Sequence, residues 1–210
     1  MKEFHAPAYF SILLAVLVVS GATQQRSSDD AEIGKPAPVF TLPGTDGESY
    51  DLESLQGEFV VLEWLNFGCP YVERHYRTGN MPALQKEFTE KGVKWLSIVS
   101  SAPGTQGYYE SDEMNVENEK MGGMQSAILL DPEGDVGKMY GAITTPHMYI
   151  IDKEGVLIYK GGIDDQPRAS YEKTKLANNY VRAALEEAMN GDEVSVEISR
   201  PYGCSVKYKK

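Results

Sequence analysis

Short apolar runs alternate with polar, glycine-rich joints along this chain, and their lengths predict the elements. Phe59–Leu65, Val93–Val99 and Ala127–Leu130 are runs of strand length that read as buried strands. Phe40–Leu42 and Ser49–Leu52 flank the turn signal Gly44-Thr45-Asp46-Gly47, and Met148–Asp152 and Val156–Tyr159 flank Lys153-Glu154-Gly155, so two hairpins are predicted. A helix starts at about Tyr71 and breaks near Thr78-Gly79-Asn80. Asn80 is the expected cap of a second helix, with Pro82 in its first turn and Leu84 and Phe88 on one face. Asp112–Lys120 reads as an exposed acidic helix, and a short helix runs through Met139. Tyr171–Met189 reads as the longest helix, stopped by Asn190-Gly191. Strands interleaved with helices, together with two hairpins, imply an α/β fold with a mixed sheet.

The first residues follow another pattern. Lys2 precedes an apolar run from Ala8 to Val19, and Ser20-Gly21-Ala22 is a small-residue cleavage site. Residues 1–22 thus read as a secretory signal, and the polar residues 23–32 as a linker. The apolar run falls short of the about 20 residues of an ordinary membrane span. The expected location is therefore periplasmic or extracellular, with a membrane anchor only if the signal stays uncleaved. Residues 33–190 are expected to form one domain and residues 191–210 an extension.

Removing residues 1–22 takes away one lysine and one glutamate, so the formal net charge stays at −11. Such an acidic chain is a poor partner for nucleic acid, whose phosphates need clustered Lys and Arg. Lys207, Lys209 and Lys210 read as a solvated basic end. Three histidines and two cysteines show no zinc-site spacing, and no metal or cofactor is expected.

The candidate chemistry centres on Cys69, where the strand 59–65 turns into the helix that follows. A thiol at a helix N-terminus meets unpaired N–H groups and the positive end of the dipole, which favour thiolate, the reactive form. Glu63 lies six residues earlier within an apolar strand, where burial raises a carboxyl pKa and suits it to move protons. Thr145-Pro146-His147 stands directly before a strand. Cys204 is the second thiol, 135 residues away in sequence. Each has a plainer reading: Cys69 or Cys204 as an inert buried thiol, Glu63 as a solvent-facing residue, His147 as a half-exposed strand start. His75, about 120° round the helix from Cys69, faces elsewhere and carries little functional weight.

Several motifs, in order, carry a resemblance. They are Gly34-Lys35-Pro36-Ala37-Pro38-Val39-Phe40, Val61-Leu62-Glu63-Trp64 leading to Cys69-Pro70-Tyr71-Val72, and Thr78-Gly79-Asn80-Met81. Leu130-Asp131-Pro132-Glu133-Gly134, Thr145-Pro146-His147-Met148-Tyr149-Ile150-Ile151-Asp152, Gly162-Ile163-Asp164-Asp165 and Gly203-Cys204-Ser205-Val206-Lys207-Tyr208 follow. Across about residues 33–208 the chain resembles the redoxin branch of the thioredoxin-like superfamily, the alkyl hydroperoxide reductase/thiol-specific antioxidant family, in an exported bacterial subgroup. The resemblance implies a thioredoxin-like fold, Cys69 as nucleophile, Glu63 as buried acid and a cis Pro146 beside Cys69. It also implies substrate contacts at Pro70, Asn66, Thr145, Pro146 and His147.

Departures from the family pattern leave the reaction open. Val72 stands where a thioredoxin has the second cysteine of Cys-x-x-Cys. Leu62 and Asn66 replace the proline and threonine of the peroxiredoxin motif, Pro146 stands in place of its later arginine, and Asn66 offers only a hydrogen bond. The expected function is a thiol-dependent oxidoreductase in which Cys69 attacks a protein or small-molecule disulfide or a peroxide. Either Cys204 or an external thiol reductant then resolves the product. Thiol–disulfide exchange and peroxide reduction both remain open, as does a non-catalytic binding domain with structural cysteines.

Overall fold

The computed structural model describes residues 1–2, 31–168, 170–174 and 176–210. Residues 3–30, which hold nearly all of the expected signal and linker, lie outside the described residues. Among those described, no helix is long and apolar enough to cross a membrane.

The chain opens with the predicted hairpin, β1 (Thr41–Pro43) and β2 (Ser49–Asp51). Strand β3 (Val60–Trp64) follows and is buried at every position, because the apolar run leaves no polar face to turn toward water. It lies at the centre of a five-stranded sheet. On one side it runs parallel to β4 (Lys94–Val99), which is parallel to β5 (Ala127–Leu130). On the other side it is antiparallel to β7 (His147–Ile151), which pairs with β8 (Leu157–Gly161). Before β7 comes a two-residue strand, β6 (Thr144–Thr145), outside that sheet.

The helices are α1 (Pro70–Arg77), α2 (Asn80–Glu90), α3 (Ser111–Met121), α4 (Asp135–Met139), α5 (Tyr171–Thr174) and α6 (Tyr180–Asn190). Successive strand residues point to opposite sheet faces. Val61 and Leu65 therefore pack with Val72, Tyr76, Leu84, Phe88 and Leu185 of α1, α2 and α6. Val60, Leu62 and Trp64 pack on the other side with Phe40, Leu52, Tyr140 and Tyr149.

Two expectations about helix ends need correction. Asn80 is the first residue of α2, not its cap. Gly79 takes the cap position with φ 72°, which a side chain would resist, and Asn80 Nδ2 bonds His75 Nδ1 at 2.9 Å. The long helix expected over 171–189 is two helices. Asn179 caps α6 by accepting the Arg182 N–H at 2.9 Å, and Asn178 is tied to Asp165 through its backbone N–H and its side chain. These local bonds compete with a continuous helix, as asparagine side chains do.

The last residues form a strap and not a free basic tail. Ser199 lies along β8, where its hydroxyl accepts the Gly162 N–H. Strand β9 (Cys204–Ser205) then pairs antiparallel with β6. Beyond it, Lys207 O accepts the Ala102 N–H at 2.8 Å, the Tyr208 hydroxyl donates to Ala142 O at 2.6 Å, and Lys209 pairs with Glu133. The Tyr208 ring lies against Gly134 and Gly137, where any Cβ would collide with it. Replacing Tyr208 by alanine is expected to cost about 1–3 kcal/mol in urea unfolding. Amide protection over residues 199–208 should fall with it, whereas unchanged protection there would show that Tyr208 does not anchor the strap.

Candidate active site at the Cys69 corner

Cys69 is the N-cap of α1, with extended backbone and Pro70 at the first helical position, where a missing N–H costs nothing. Its own N–H donates to Asn66 O at 2.9 Å, and its carbonyl accepts the Glu73 N–H. The sulfur is 0 % exposed. Over it lies the β6 edge, where the Cys69 thiol donates to Thr145 O at 3.1 Å. The Thr145–Pro146 peptide is cis, as the resemblance implied.

Strand β9 brings the second thiol to the first. Thr145 is the register partner of Cys204, so the residue that covers Cys69 also aligns Cys204. Gly203, at φ 147°, lies so close to the Thr145 carbonyl that a Cβ there would run into it. Both cysteines are free thiols, Cys69 buried and Cys204 half-buried. Burial pushes the Cys69 thiol up. The Cys204 thiol donating to it, the Val72 N–H of the first helical turn and the Thr145 side chain favour the charged form more strongly, and the net direction is below an ordinary thiol. Cys204 is pushed up to about 12 by burial and by its bond to the Cys69 sulfur, with Lys207 acting the other way. Of the two thiols, Cys69 is the one whose surroundings favour the charged form.

Glu63 lies on the sheet face that carries Val61 and Leu65, the face on which Cys69 packs, and is 0 % exposed. Its Oε2 accepts Trp95 Nε1 at 2.8 Å, Ser97 Oγ at 3.0 Å and Gln85 Nε2 at 3.0 Å, and its Oε1 accepts the Tyr76 hydroxyl at 3.0 Å. Burial raises its pKa, and the four donors oppose that rise. Asn66 is committed to the loop. Its Oδ1 accepts the Gly68 N–H at 2.8 Å and its Nδ2 donates to Gln106 O at 3.0 Å, while Gln106 Nε2 returns to Gly68 O. The loop that carries Gln106 is thereby fastened to the Cys69 corner. His147 shares a sheet face with Tyr149, whose ring it meets at 4.6 Å in a tilted arrangement, and this is the face opposite Cys69. Pro70 is exposed at the helix start.

Sequence reasoning missed a polar cluster beside the corner. His75, expected to face away from Cys69, is fully buried against Tyr202 and Asp164. Asn80 Nδ2 bonds the ring at Nδ1, Nε2 bonds the Tyr202 oxygen at 3.0 Å and Arg74 at 3.2 Å, and Tyr202 donates to Asp164 Oδ1 at 2.5 Å. Arg74 donates to Pro167 O and Gln166 O and holds that loop over the cluster. Burial and the Arg74 charge depress His75 to about 3. The cluster fixes Tyr202, two residues before Cys204. Gly162-Ile163-Asp164-Asp165 was its one sequence signal, and it said nothing of Tyr202.

A mixed sheet with a cysteine at the N-terminus of α1, facing a cis-proline loop, defines a thioredoxin-like protein. Residues 33–160 match the AhpC/TSA family, and the chain belongs to that family. It is 25 % identical over 156 residues to the thiol-disulfide oxidoreductase ResA of Bacillus cereus, covering 70 % of this chain and 83 % of that one. It is 25 % identical over 204 residues to the thiol:disulfide interchange protein DsbE of Escherichia coli, covering 88 % and 98 %. The crystal structure of a hypothetical protein from Sinorhizobium meliloti superposes with a TM-score of 0.74 at 22 % identity, covering 86 % and 97 %, and shares the fold.

Two pH experiments follow from this geometry. Cys204→Ala removes the thiol that donates to Cys69. The Cys69 pKa should therefore rise, and thiolate absorbance at 240 nm should appear at higher pH than in the parent; an unmoved titration would show that Cys204 does not support the thiolate. His75 has a folded pKa of about 3 against 6.5 in the open chain, so the unfolded state binds the extra proton between those values. Stability should fall as pH drops through 6.5 toward 3, by up to about 1.4 kcal/mol per pH unit. His75→Gln should flatten that slope in urea unfolding at pH 7 and pH 5, and equal slopes would place the acid sensitivity elsewhere.

Proposed function

We propose that this protein is a thiol–disulfide oxidoreductase whose redox pair is Cys69 and Cys204. One observation carries the reading: the Thr145–Cys204 rung of the β6–β9 ribbon sets the second thiol on the first. Cys69 thiolate attacks one sulfur of a substrate disulfide, and the other sulfur leaves as a thiol. Cys204 then attacks the Cys69 sulfur and releases the second substrate thiol, leaving a Cys69–Cys204 disulfide. Two electrons pass from the protein to the substrate. The names of the ResA and DsbE relatives support disulfide exchange as the reaction and disulfide-bonded proteins as the substrate class.

The site roles are part of this proposal. Thr145 and Pro146 form the backbone edge over the sulfur, and Pro70 starts the helix whose N–H groups face it. Asn66 holds the corner loop, and His147 braces β7 from behind. Glu63 is the buried acid of the helix-side core, where a cage of four donors keeps it in place for proton transfer. The domain is taken to span 33–190, with 191–210 as the strap that supplies Cys204. Export, through the signal at 1–22, accords with a cysteine pair that cycles through a disulfide. Peroxide reduction is disfavoured by the acceptor facing the sulfur: Thr145 presents a carbonyl there, where an anionic transition state would need a donor.

The test begins with stoichiometric oxidation of the reduced protein and mass mapping. A single Cys69–Cys204 link is expected. Cys69→Ser should then lower the reduction of insulin disulfides by at least about 100-fold, and peroxide should react at the rate of a free thiol. Absence of the link, or a peroxide rate far above the disulfide rate, would overturn the reading. Unreactive cysteines toward both would leave a binding domain.

A further inference from the structure

A cleft of ≈ 750 Å³ opens beside the cysteine pair, within the range of small-molecule sites. Thr144 of β6, Gly203 (the residue before Cys204), Tyr71, Tyr202, Arg168 and Arg200 are among its lining residues. The chain holds six arginines and carries a net charge of −11. Two of the six line this cleft, and a third, Arg74, lies under the Tyr202 ring at 5.8 Å. Two carboxylates, Asp164 and Asp165, line it as well, so with Arg74 three cations stand against two anions. Asp165 is bound to Asn178, and Asp164 lies behind Tyr202 as its hydrogen-bond acceptor. In a chain of net charge −11 this cleft has a local excess of one cation beside the residue that precedes Cys204, which favours anionic ligands here over the rest of the surface.

Access to the two sulfurs differs. Cys69 is fully buried, while Cys204 is half-buried and directly follows Gly203 of the cleft lining. With the strap in place, Cys204 is the more accessible of the two sulfurs to a reagent held beside Gly203. We propose that the cleft binds a small carboxylate-bearing thiol, which reduces the oxidised protein by attacking Sγ of Cys204 and expelling Cys69. The proposal rests on the Cys69–Cys204 disulfide of the preceding reading and names the reductant that returns it to the dithiol.

The step balances. The incoming thiolate bonds to the Cys204 sulfur, the Cys69–Cys204 bond breaks, and its electron pair leaves on Cys69. A second small thiolate attacks the sulfur of the bound thiol, giving a small-molecule disulfide and Cys204 thiolate, which takes a proton from water. Two thiols are oxidised and one protein disulfide is reduced. The lowered pKa of Cys69 makes it the better leaving group of the two.

Three thiols test this: 3-mercaptopropionate (anionic), 2-mercaptoethanol (neutral) and cysteamine (cationic). Each reduces the oxidised mature protein in stopped flow, for the parent and for Arg168→Gln/Arg200→Gln. Taking the variant-to-parent ratio for each thiol cancels its intrinsic reactivity. The ratio should fall about ten-fold or more for mercaptopropionate, far less for mercaptoethanol and least for cysteamine. Acid quenching and alkylation early in the reaction should place mercaptopropionate on Cys204 and the alkyl group on Cys69. An equal loss for all three thiols, no loss, or mercaptopropionate on Cys69 would overturn the proposal. If no Cys69–Cys204 disulfide can be prepared, the preceding reading fails as well. A disulfide that forms but is reduced without charge preference sinks only the present one.

Discussion

A ribbon of two rungs, Thr144–Ser205 and Thr145–Cys204, holds this site together. A two-stranded ribbon of that length has little stability of its own. It persists because both ends of the strap are fixed elsewhere. Before it, Tyr202 is gripped by His75 and Asp164; after it, Tyr208 lies on the glycines of α4 and donates to Ala142 O. Gly203 completes the fit, since only a residue without a Cβ passes the Thr145 carbonyl at that distance. The strap therefore acts as a clasp: weak at the rung that joins the cysteines, firm at its two anchors.

The clasp places two chemically identical side chains in unequal environments. Cys69 has the N–H groups of a helix start and a thiol donor directed at it, which hold its pKa below that of an ordinary thiol despite burial. Cys204 has a neighbouring thiolate and partial burial, and holds its proton. The rigidity behind this difference comes from the polar interior. Every oxygen of Glu63 has a donor, and the Asn66 amide bonds the corner loop on both of its sides. A fully satisfied buried network specifies one arrangement of the groups around it, whereas a partly satisfied one would be a source of strain. α1 and its corner are thus held from below while the clasp closes from above.

The parts that were legible in the sequence are those set by local pattern. The strands around 59–65, 93–99 and 127–130, both hairpins, and the thiol at a strand-to-helix corner follow from apolar runs and turn residues, and they are where the pattern puts them. What escaped is set by side chains that bond across the chain. Asn178 and Asn179 read as ordinary helix residues until Asp165 and the Arg182 N–H claim them. His75 points away from Cys69, but the relevant partner was Tyr202, 127 residues on. Glu63 in an apolar strand flagged a buried acid, yet its four donors come from α1, α2 and β4, which no spacing rule relates. The lysines at the end looked like a solvated tail because nothing in their own sequence reveals the glycine shelf under Tyr208.

Placing the second thiol in the strap also frees the first turn of α1. The third residue after Cys69 is Val72, a buried side chain whose N–H faces the sulfur and favours its charge. A partner thiol at that position would share the helix with Cys69 and move with it. A partner in the strap sits on a separate element, and lifting that element uncovers Cys69 and withdraws its proton donor in the same motion. Exposure and acidity of the nucleophile are then coupled in opposite directions. With the clasp closed, Cys69 is acidic but covered; with it open, Cys69 is accessible but has lost the donor that favours thiolate most. On the proposed exchange reaction, a substrate reaches Cys69 only by displacing β9 from the Thr145 edge, and an extended backbone that makes the same hydrogen bonds is suited to that exchange.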